Sequence, residues 1–116
     1  MVSNVSFRYE VEQSEIHPSE DLDSRGREVT TFKCHGRIVA ENRSLVEEMV
    51  KSNSFKGRIV IDLADVDYVD SAGLGALMRV KLSAVTKGGV SVKLVHVTPR
   101  VMQLLKLSNL VEWFSS

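Results

Sequence analysis

At residue 70 the chain changes period, and that change limits what it can fold into more than any other feature. Residues 58–63 read Arg-Ile-Val-Ile-Asp-Leu, an apolar run with little alternation, as expected of a strand covered on both faces. An acidic turn is expected over residues 64–69, which hold Asp65 and Asp67. From Leu74 onward the apolar residues fall at Leu74, Leu77, Met78, Leu82 and Val85, the spacing of one helix face. The junction is Asp70-Ser71-Ala72-Gly73-Leu74-Gly75. A strand that passes so directly into a helix must cross back over its own sheet. Gly88-Gly89 stops the helix, and residues 90–97 supply a strand expected to run parallel to the first.

The flanking segments extend this unit. Val5, Phe7, Tyr9 and Val11 alternate with polar residues as in a half-buried strand. Residues 17–28, with Pro18, Gly26 and a surplus of acids, read as a mobile connection. A second strand is expected over residues 29–39, with Phe32, Cys34 and Ile38 inward and Gly36 interrupting it. Asn42 or Ser44 can cap a helix that buries Leu45, Val46, Met49 and Val50. Thr98 caps and Pro99 opens a last helix. Trp113 and Phe114 close an apolar segment that has to pack. The order strand, strand, helix, strand, helix, strand, helix predicts one α/β domain over residues 1–116. Its sheet is mixed, a parallel core with an N-terminal antiparallel hairpin, covered by helices.

Charge and composition exclude several functions. The 15 basic and 15 acidic residues cancel, which argues against nucleic acid as a partner. No acidic residue stands between Ser71 and Val111, so that half is suited to an acidic partner surface or is simply solvated. Cys34 is the only cysteine, so no intramolecular disulfide forms. No stretch approaches a membrane span and no targeting segment is apparent, so a cytoplasmic protein without membrane insertion is expected. His17, His35 and His96 lie at no metal-ligand spacing, and neither GxxxxGK[ST] nor GxGxxG occurs, so neither metal nor cofactor is expected.

Ser71 is where chemistry concentrates, and three roles compete. A nucleophile elbow would want glycine two residues before and after the serine, but Val69 and Gly73 stand there. A hydrolase would also need a base, for which only His96 is sensible, with no orienting carboxylate beyond it before Glu112. Ser71 as a helix N-cap, with Gly73 and Gly75 for close packing, is the plain structural role. The third role is regulatory: a serine at a helix start is open to a kinase, and a phosphate there adds about −1.5 to −2 charges.

Val60-Ile61-Asp62-Leu63, Tyr68-Val69-Asp70-Ser71-Ala72-Gly73-Leu74-Gly75, Gly88-Gly89 and Pro99-Arg100-Val101 together resemble the STAS domain family, specifically its stand-alone bacterial anti-sigma factor antagonists. The resemblance covers about residues 29–114. It implies a non-enzymatic module in which Ser71 is the phosphoacceptor and Asp70 helps present it. The implied partner surface holds Asp70, Ser71, Ala72, Gly73, Leu74, Gly75, Met78 and Arg79. The implied partners are an anti-sigma factor with ATP-using serine kinase activity and a serine/threonine phosphatase. Unphosphorylated antagonist holds the anti-sigma factor; phosphorylated antagonist releases it. Two positions depart from the family pattern. Ala72 replaces a second hydroxyl, leaving Ser71 as sole acceptor, and Val39 stands where an aspartate is common. The alternative is a constitutive STAS subunit of a signalling or lipid-transport complex.

Overall fold

A computed structural model describes residues 7–15, 28–51, 57–88 and 91–115. Four strands, β1 (Phe7–Glu15), β2 (Glu28–Ile38), β3 (Arg58–Val69) and β4 (Val92–Val95), lie side by side in sequence order. β1 pairs antiparallel with β2, and β2, β3 and β4 are parallel, so the expected mixed sheet is the observed one. The connection expected to be mobile falls almost entirely outside the described residues. Four helices follow the strands: α1 (Arg43–Lys51), α2 (Ser71–Gly88), α3 (Pro99–Leu107) and α4 (Val111–Ser115).

One face of the sheet makes the core. Phe32, Cys34, Ile59, Ile61 and Leu63 are buried against Val46 and Met49 of α1 and Leu74, Leu77 and Val80 of α2. The alternate residues Lys33, His35, Val60 and Asp62 are exposed or half-buried. β3 is therefore covered on one face, not two, and its apolar run overstates its burial.

The acidic turn expected at residues 64–69 is instead the second half of β3. Val66 and Val69 stay buried while Ala64, Asp65, Asp67 and Tyr68 face outward. Two register shifts along β2, at Lys33/His35 and Gly36/Arg37, disturb the alternation by which a strand is read from sequence. Gly36 accommodates one of them at φ 102°, a conformation open to glycine at little steric cost.

α2 is rotated from the face its leucines suggest. It buries Leu74 and Leu77 but also the small residues Ala76 and Ala84, with Val80 and Lys81, while Leu82 is 53% exposed. Small side chains let the helix lie close to its neighbours, and size-weighted periodicity misses them. In α1 Leu45 is likewise turned outward, at 40% exposure. Asn42 caps nothing conventional: it lies buried in a single 3-10 turn (Ala40–Asn42). There its carboxamide accepts from the Val39 amide at 2.9 Å and donates to the Arg37 carbonyl at 3.0 Å. Thr98 and Pro99 open α3 as expected, the Thr98 hydroxyl accepting from the Val101 amide. Phe114 of α4 is buried, and the half-buried Trp113 stacks edge-on beside it.

Candidate functional site

The turn from β3 into α2 is built by Asp70, not by Ser71. The first amides of a helix have no carbonyl partner within it and need an outside acceptor. The Asp70 carboxylate supplies one: its Oδ1 accepts from the Gly73 amide at 2.7 Å. Its other oxygen accepts from the Ala40 amide at 3.1 Å, and the Asp70 amide donates to the Ile38 carbonyl at 3.2 Å. One residue thus caps α2 and ties it to the end of β2. The N-cap reading of Ser71 is overturned, because the backbone turns helical at Ser71 and the residue before it takes the capping position. Ser71 is the first residue of the helix and is exposed.

Gly73 makes this geometry possible. A Cβ on it would lie 2.0 Å from the Ile38 carbonyl oxygen, a backbone atom that cannot move aside. Gly75 is under no such demand; a Cβ there would meet only the Arg79 guanidinium, at 3.8 Å. The close-packing role expected of both glycines belongs to Gly73 alone. Gly73 and Leu74 are buried, Ala72, Gly75 and Met78 are half-exposed, and Arg79 is exposed. Arg79 reaches across to α1, its Nε 3.1 Å from a Glu47 carboxylate oxygen. The accessible patch is therefore Ser71, the edges of Ala72 and Gly75, Met78 and Arg79.

Val39 is buried and brings no charge to the turn. Asp65 and Asp67, neighbours of Ser71 in sequence, are carried away from it by the extended strand, at roughly 3.3 Å per residue. Asp65 is occupied by His35, whose Nδ1 lies 2.6 Å from its carboxylate. Asp70 is thus the carboxylate built into the turn.

The remaining titratable side chains lie elsewhere. His96 does have an orienting carboxylate, from the adjacent strand and not from downstream in sequence: Asp62 Oδ2 is 3.2 Å from His96 Nδ1. Only strand pairing, Asp62 opposite Val95, reveals it. No contact joins His96 to Ser71 among the described residues, so the hydrolase arrangement is not assembled. Cys34 is buried beside Met49, and burial pushes its thiol up to about 12, with Asp62 adding to the effect. A thiol so placed is a poor nucleophile. No group of three or more histidine, cysteine or carboxylate side chains among the described residues is arranged to hold a metal ion. No helix among them is long and apolar enough to cross a membrane.

Comparison with known proteins agrees with this architecture. The STAS domain model matches residues 23–115. An anti-sigma factor antagonist from Mycobacterium paratuberculosis superposes with a TM-score of 0.68 at 21% identity, over 98% of this chain and 87% of that one. The Bacillus cell fate determinant SpoIIAA in its phosphorylated form superposes with a TM-score of 0.54 at 13% identity, over 91% and 87%. The murine anion transporter Slc26a9 gives a TM-score of 0.68 at 15% identity, over 92% of this chain but 19% of that one. At these identities the superpositions speak to the fold.

Proposed function

The chain belongs to the STAS domain family, and we propose that within it the protein is an anti-sigma factor antagonist switched by phosphorylation of Ser71. The observation that carries this reading is the division of labour in the turn. Asp70 holds the helix start, so the Ser71 hydroxyl is spared for chemistry and faces solvent. Replacing or modifying it leaves the cap in place.

The partner is an anti-sigma factor that is also a serine kinase; ATP and magnesium belong to it. The Ser71 oxygen attacks the γ-phosphorus, the bond to ADP breaks, and the hydroxyl proton passes to a base of the kinase. A serine/threonine phosphatase reverses the modification. Within this chain the phosphate sits at the positive end of α2, which offsets repulsion from Asp70, so the fold tolerates it. A partner packed over Ser71, Met78 and Arg79 does not. Burying an unpaired ion costs several kcal/mol, and about 4 kcal/mol is close to a thousandfold in affinity. The module binds and is modified; it is not itself a catalyst.

The second reading, a constitutive STAS subunit without a switch, is favoured by Val39, which leaves the turn without the second carboxylate common in the family. Binding by the kinase partner separates the two. Under the switch, Ser71→Asp binds on the order of a hundredfold more weakly than the unmodified protein while its Tm is nearly unchanged, and Ser71→Ala binds persistently. Equal binding by all three forms is the outcome of the constitutive reading.

A further inference from the structure

A second cluster of charges lies on the open face of the sheet, and the function proposed above does not use it. His35 of β2 stands between two carboxylates from the flanking strands. Its Nδ1 is 2.6 Å from Oδ2 of Asp65 on β3, and its Nε2 is 3.1 Å from Oε1 of Glu10 on β1. Carboxylates only accept, so both ring nitrogens have to donate, and only the imidazolium carries two N–H groups. The neutral ring has one, and whichever carboxylate it abandons then faces a lone pair.

We propose that His35 is a proton-operated clamp on the stretch of sheet that positions the Ser71 turn. Its location gives it that reach. His35 pairs directly with Asp65 in the β2–β3 ladder, between the register shift at Lys33/His35 and the one at Gly36/Arg37. The ladder is interrupted on both sides of this pair, so a side-chain bridge has more influence here than in a regular stretch. Three residues further along β2 is Ile38, whose carbonyl receives the Asp70 amide and against which Gly73 packs. What holds β2 to β3 at His35 thus holds the platform on which α2 begins.

The charges facing the ring favour its cationic form. β3 contributes Asp65, with Asp67 lining the same open cleft, and β1 contributes Glu10. Arg8 of β1 opposes them but is itself paired with Glu10 at 3.4 Å. On β2 itself Lys33 is paired with Glu12 at 3.7 Å and Arg37 is exposed. The hydrogen bond to Asp65 and then that to Glu10 raise the imidazole above its ordinary range. A group raised on folding stabilises the fold fully below its unfolded value, about 6.5. That contribution is lost as pH rises through the folded value. The side chain is 22% exposed, enough for protons to reach it from solvent. The clamp is closed in mild acid and open in mild alkali.

The test is an NMR titration of the whole chain from pH 5 to 9, with hydrogen exchange at the Ile38, Asp70 and Gly73 amides and a urea midpoint at each pH. The expected result is a His35 midpoint above that of the urea-unfolded chain, lowered by Asp65→Asn and less so by Glu10→Gln. Protection at the three amides, taken relative to the intrinsic exchange rate at each pH, should fall severalfold, and the urea midpoint should fall, as His35 deprotonates. Both effects should be absent in His35→Gln. A His35 midpoint equal to the unfolded one, or a His35→Gln protein with the same pH dependence as the parent, would overturn the clamp. Titration of His35 with no response at the turn amides would overturn its reach. The proposal concerns regulation of the site read above as a phosphorylation switch, but neither readout involves the kinase. A clamp that titrates in a protein never phosphorylated would sink only that reading.

Discussion

Asp70 and Ser71 are adjacent, both are good cap residues, and the chain needs only one. From sequence the choice is open to a shift of one position. Ser71 in the cap would leave Asp70 as the last residue of a loop; Asp70 in the cap frees Ser71. The bond that decides it runs from Asp70 to the Ala40 amide, thirty residues away, and no local pattern encodes it. Asp70→Ala removes acceptors for two amides and is expected to cost about 2 kcal/mol in urea unfolding. Ser71→Ala is expected to change stability by less than about 0.5 kcal/mol, as surface substitutions do. A larger loss in the serine variant than in the aspartate variant would mean that the cap has been misassigned.

At the scale of elements, periodicity and capping located the four strands and α1 to α3 but missed part of their orientation, and α4 was expected only as an apolar segment that has to pack. The leucines of α2 point to a face containing Leu82, but the helix is rotated so that Leu82 is exposed while Ala76 and Ala84 join Leu74 and Leu77 in the contact. Asp62 and His96 looked unrelated until β3 and β4 were paired. Lys81 is another residue that only packing explains. It is buried on α2, where its ammonium donates to the Trp113 carbonyl and lies 5.0 Å from the Trp113 ring centre. Burial lowers its pKa, and a lysine tolerates this where a helix C-terminus and aromatic faces replace water. Lys81 therefore ties α4 to α2. Since Trp113 is the only tryptophan, its fluorescence reports that attachment. Lys81→Ala is expected to red-shift the emission and to cost about 2 kcal/mol. Unchanged emission would mean that Lys81 does not hold α4 in place.

For the whole molecule, the mixed sheet was legible because strand order follows sequence order and each parallel step has its crossover helix. The core face of this sheet carries α1 and α2, and at its end Asp70 joins the start of α2 to the end of β2 through its backbone amide and to the following 3-10 turn through its carboxylate. Under the proposed function that construction separates stability from signalling: the residues that fix the turn are Asp70, Gly73 and Ile38, while the exposed Ser71 is the one the proposal offers to a partner. The family resemblance rested on the same motif, and the geometry assigns its members different tasks. Intact-mass analysis after incubation with ATP and host lysate, beside Ser71→Ala, tests this account most directly. A gain of one phosphate that the variant lacks is the predicted result. No gain in a lysate whose kinases are demonstrably active, or an equal gain in the variant, would contradict it.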